Sequence, residues 1–105
     1  MNFSKTDRGF GLCEFTDLYG KESSVQESSL ATEAAVWVGI SDAEPLIMAS
    51  DAKKMGLPCD QDFGWVPYYI PQEVLLHTRM HLSREGVEQL IEVLTNWLET
   101  GTVRP

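Results

Sequence analysis

Basic side chains are scarce in this chain. Eight Lys and Arg stand against sixteen Asp and Glu, a formal net charge of −8. Phosphate backbones and anionic membranes are held by clustered Lys and Arg, so the balance argues against nucleic acid or membrane as a partner. It favours solubility, and steering toward a basic protein surface. Cysteine is scarcer still, with only Cys13 and Cys59. Two isolated thiols form no metal-ligand pattern, and in a reducing compartment they read as small, half-buried hydrophobes. No apolar run approaches the roughly 18 residues of a membrane helix, and the opening MNFSKTDR lacks the apolar core of a signal peptide.

Chemical motifs are missing as well. No glycine-rich phosphate loop is present, and Ser23, Ser24, Ser28 and Ser29 lack the strand–turn–helix elbow of a nucleophilic serine. Asp60 and Asp62 are too few for a calcium loop. His77 and His81 are four apart, but the glutamate that follows the first His of a zincin is Thr78 here. On a strand the two imidazoles would sit about 13 Å apart, too far for one ion. The expectation is a non-enzymatic protein with no cofactor and no metal.

What is present points to one domain over residues 1–105, with residues 1–9 and 102–105 as flexible ends. Residues 11–16 alternate as a strand, and Asp17 and Gly20 supply turn chemistry for a loop of about three to five residues. The partner run, 22–29, is almost wholly polar: Ser24, Gln26 and Ser28 share one side, and Val25 is the only obvious core residue on the other. Polar strands bury little apolar area, so this one reads either as a wet sheet edge or as part of a binding site. Residues 34–40 form a buried strand by their β-branched and aromatic content, and 46–49 a short one. Ser50 reads as the N-cap of a brief helix stopped at Gly56. Residues 57–73 are irregular and rich in Pro and aromatics, and the later part of 74–82 is a last strand. From Ser83 as N-cap, Val87, Leu90, Ile91, Leu94 and Leu98 recur at helical spacing up to Gly101. The fold class is α+β: a mostly antiparallel sheet of four to five strands with one long C-terminal helix packed on one face.

Candidate binding residues follow from this placement. Gln26, Ser28 and Ser29 lie on the polar strand, with Tyr19 in the turn before it. His77, Arg79 and His81 form a polar row on the last strand. Trp65 and Tyr68, in the aromatic loop, could stack a planar ligand, although covering an end of the core is the commoner use of such residues. On the helix, Glu85, Glu88 and Glu92 lie to one side of the stripe and Trp97 widens it, a candidate face for a basic protein or for another copy of the chain.

Several of these segments carry a resemblance. FTD at 15–17, Tyr19-Gly20, QESSLA at 26–31, WVG at 37–39 and RMHL at 79–82 resemble a group of small uncharacterised phage and prophage proteins, over roughly residues 10–101. The resemblance brings no activity. It implies a mobile-element accessory protein in the cytoplasm of a bacterial host. The acidic surface and the missing catalytic set point to binding a host or phage protein or to association with itself. Sequestering a nucleotide-like ligand is the alternative.

Overall fold

The computed structural model describes residues 1–104. The chain is α+β and divides into two compact units, Met1–Ser41 with Thr78–Pro105, and Asp42–His77. The first holds strands β1 (Asn2–Lys5), β2 (Gly11–Thr16), β3 (Glu22–Glu27), β4 (Ala35–Ile40) and β7 (Arg79–Ser83), followed by helix α2 (Arg84–Thr100). The second holds β5 (Leu46–Met48), α1 (Ala49–Lys54) and β6 (Trp65–Pro67).

In the larger unit the five strands form one antiparallel sheet in the order β1-β2-β3-β4-β7. The polar strand β3 is therefore its middle strand, which overturns the reading of 22–29 as a wet edge. Residues 2–5, expected to be part of a flexible segment, instead form β1: Phe3 pairs with Cys13 and Ser4 with Leu12. The β2–β3 turn is built as its residues require. Asp17 Oδ1 accepts from the backbone N–H of Tyr19 at 2.9 Å and of Lys21 at 2.8 Å.

Register sorts the side chains onto two faces. On one, Phe3, Cys13, Val25, Val38 and Met80 lie in a row across all five strands. On the other, Leu12, Gln26, Trp37 and His81 are aligned, with Glu14, Ser24, Gly39 and Arg79 beside them. Among the described residues of this unit only Ser23 and Ser24 are buried; the apolar face is at best half-covered. The serine hydroxyl of residue 23 is satisfied by the Lys21 carbonyl at 3.2 Å.

Helix α2 begins directly after β7. Ser83 is its N-cap and accepts from the Gly86 N–H at 3.1 Å, and Gly101, at φ 77°, supplies the left-handed residue that stops it. Gly86, Val87 and Leu90 are half-buried, whereas Ile91, Val93, Leu94, Trp97 and Leu98 are exposed. Packing is thus confined to the first two turns. The C-terminal residues are tied back, since Asn96 Nδ2 donates to the carbonyls of Thr102 and Arg104 at 3.0 and 2.9 Å; Pro105 lies outside the described residues.

In the smaller unit Ala49, Ala52 and Val66 make a small core, joined by Ile47, Leu57 and Cys59. The cap expected at Ser50 is not used: α1 starts two residues earlier than such a cap implies, at Ala49 after Met48, with no side-chain cap. Both thiols are free.

Candidate functional site

The polar face gathers part of the expected site around a residue the sequence assigned to the core. Ring centroids of Trp37 on β4 and His81 on β7 are 3.8 Å apart and 7° from parallel. Arg79, two residues back on the same strand and hence on the same side, sets its guanidinium carbon 5.7 Å from the Trp37 ring centroid. Arg79 Nη1 donates to Gln26 Oε1 at 2.8 Å, and His81 Nε2 shares a 2.8 Å hydrogen bond with Ser28 Oγ. The chain thus brings Gln26, Ser28, Arg79 and His81 from positions 53 residues apart in sequence onto one tryptophan platform.

The charge of Arg79 is left unbalanced by this arrangement. Its acceptor is a neutral amide, and among the described residues no carboxylate stands within ion-pair distance of it. A guanidinium carries five N–H donors in a planar fork. Only one is committed to Gln26, so the group retains the geometry for a bidentate carboxylate or phosphate.

A shallow depression of roughly 370 Å³ adjoins the platform, lined by Gln26, Glu27, Ser29 and Trp37 and by Thr6, Asp7, Arg8 and Phe10 of the β1–β2 connection. Arg8 lies over the Phe10 ring, 5.7 Å from its centroid. Glu27 has the opposite parity to Gln26 on β3, and its carboxylate accepts from the Gly11 N–H. A larger depression of roughly 690 Å³ lies along the β3–β4 connection, lined by Phe10, Leu30, Val36, Leu82 and Val87 together with Glu27, Ser28, Glu33 and Arg84.

Other expected residues fall elsewhere. His77 precedes β7 and belongs to the smaller unit, so the expected row of three is a pair, Arg79 and His81. The strand starts only where Arg79 can pair with Gly39. Trp65 and Tyr68 also belong to the smaller unit. Trp65 is exposed on β6, and Tyr68 lines a depression of roughly 480 Å³ with Pro45, Leu46, Ile70 and Leu76. Tyr19 is exposed at the tip of the β2–β3 turn. Glu85, Glu88 and Glu92 are exposed along α2, and Trp97 is half in solvent.

Trp37 is the member that the sequence did not announce. A signal was present nonetheless. Val36, Val38 and Ile40 share one parity of β4, while Ala35, Trp37 and Gly39 share the other. A strand with its aliphatic residues on one side and a lone indole on the other carries a different task on each face.

Comparison with family models, with curated proteins and with solved structures finds no match to this chain. Among the described residues no helix is long and apolar enough to cross a membrane.

Proposed function

We propose that this protein acts by binding, and that the polar face of β3, β4 and β7 is its recognition surface for a carboxylate-bearing segment of a protein partner. The observation that supports this is the Arg79–Gln26, His81–Ser28 and Trp37 cluster, with its uncompensated guanidinium. Every polar member is aligned by a neighbour, and the indole gives a rigid apolar floor beside the charge. Aromatic and Arg side chains of this kind are the usual anchors of protein interfaces.

Openness favours a protein over a small molecule. Sites for small ligands enclose most of the ligand's surface, whereas His81 stands exposed on an open sheet. The resemblance to small phage and prophage proteins supports an accessory role for a mobile element, inside a bacterial cell and directed at a host or phage protein.

Titration of the ¹⁵N-labelled chain with an Asp/Glu-rich peptide, and separately with a nucleoside monophosphate, tests the reading. The peptide is expected to move the Trp37 indole N–H and the Gln26 side-chain amide, and Arg79→Gln to abolish both shifts. Shifts with the nucleotide alone would favour a small-ligand site, and silence with both would remove the proposal.

A further inference from the structure

A single solvated ion pair strengthens an association by about fivefold or less. A carboxylate-rich segment must also approach a chain whose net charge is −8. Arg79 therefore needs a second contact to hold such a segment, and the same face of the sheet supplies one. The connection between β1 and β2 carries the guanidinium of Arg8 over the Phe10 ring, 5.7 Å from its centroid. Phe10 continues the alternation of β2, which puts it on the side of Leu12, Gln26 and Trp37.

Arg8 repeats the arrangement of Arg79: a cation set against an aromatic ring, with donors to spare. Among the described residues it forms no ion pair and no hydrogen bond from its guanidinium. The connection that carries it is held without it. The Thr6 N–H donates to the Phe10 carbonyl and the Gly9 N–H to the Thr6 carbonyl, both at 2.8 Å, and the Phe10 N–H donates to the Thr6 hydroxyl at 3.1 Å. Arg8, Gln26 and Trp37 line one depression, and every residue lining it belongs to the larger unit. Of its two carboxylates, that of Glu27 is committed to the Gly11 N–H, and Asp7 lies beside Arg8 in the chain without pairing to it.

We infer that Arg8 is the second anchor of the recognition surface, and that the partner is an extended segment with two carboxylates four residues apart. This rests on the recognition role proposed for Arg79 and deepens it. The spacing follows from the sheet. Phe10 and Trp37 lie two strands apart, about 10 Å, and Phe10 is displaced along the strands by two residues, about 7 Å. The two rings, each with its guanidinium, are thus about 12 Å apart. Side chains of an extended segment share a side at every second residue, and four residues cover about 13 Å. Such a segment crosses β3 over Gln26, with one carboxylate at each arginine. Acids two residues apart span only about 7 Å and reach one arginine at a time.

Three Gly/Ser peptides with blocked ends test it, carrying one Glu, two Glu two residues apart, or two Glu four residues apart. Dissociation constants are read from the Trp37 indole N–H during titration of the ¹⁵N-labelled chain. The peptide with the wider spacing should bind about fivefold more tightly than the one-Glu peptide, and the narrower spacing should gain less. Arg8→Gln should remove that gain while leaving the one-Glu peptide unaffected. Lys5→Gln makes the same change in net charge on the opposite side of the sheet, where Lys5 shares the parity of Phe3, and should keep the gain. The inference is overturned, with the recognition role intact, if Arg8→Gln keeps the gain, if Lys5→Gln removes it equally, or if both spacings bind alike. An indole N–H that no peptide moves would remove both.

Discussion

Gly39→Ala should cost the protein about 3 kcal/mol or more, the largest loss expected of any single methyl group added to the sheet. Gly39 sits on β4 at φ 153°, a conformation that other residues adopt only under strain, and a Cβ there would lie 2.5 Å from the Thr78 carbonyl oxygen and 2.9 Å from the Arg79 Cα. Both are backbone atoms and cannot turn aside. β7 would have to move away from β4 where Arg79 pairs with Gly39, carrying the guanidinium away from Gln26 and Trp37. Against a typical total of about 5–15 kcal/mol, this is a large fraction. Denaturant unfolding measures it, and a loss below about 1 kcal/mol would show that the two strands do not approach as described.

Trp37→Ala should be the most damaging change within the cluster, at about 2–3 kcal/mol. A fully buried Trp loses about 3–5 kcal/mol on truncation, and Trp37 is half-buried. The loss includes the stack on His81 and the cation–π contact with Arg79, together about 1–2 kcal/mol. Trp37→Phe keeps a ring under both partners and should recover more than half of the loss. Thermal or denaturant unfolding of the two variants decides it. Equal stability of the Ala and Phe chains would mean that the platform holds nothing.

The fold was legible where a residue's role is local. Asp17 and Gly20 mark their turn, Ser83 its helix cap and Gly101 its stop, because capping and turn chemistry are decided within four residues of chain. Strand order is set by pairings tens of residues apart. A polar run such as 22–29 carries too little hydrophobic pattern to announce whether it has one neighbour or two. Its central position was invisible. So was the role of Trp37, which depends on His81 and Arg79 arriving from a strand more than 40 residues later. The Gln26, Ser28, Arg79 and His81 set was readable because polar residues at alternating positions of two strands need somewhere to go. His77 does not share the strand row: the alternation was extended beyond the point where β7 begins. Helix α2 was readable as a helix, with its stripe, from spacing alone.

The polar cluster can form only if β3 is the middle strand of the sheet despite its composition. Amide hydrogen exchange followed residue by residue tests this most directly, since a central strand has its N–H groups bonded to neighbours on both sides and an edge strand leaves alternate ones to water. The amides of Ser24, Val25, Gln26 and Glu27 should exchange as slowly as those of β4, and more slowly than those of β1. Exchange of alternate β3 amides at the rate of an edge strand would contradict the account and with it the site built on Gln26 and Ser28.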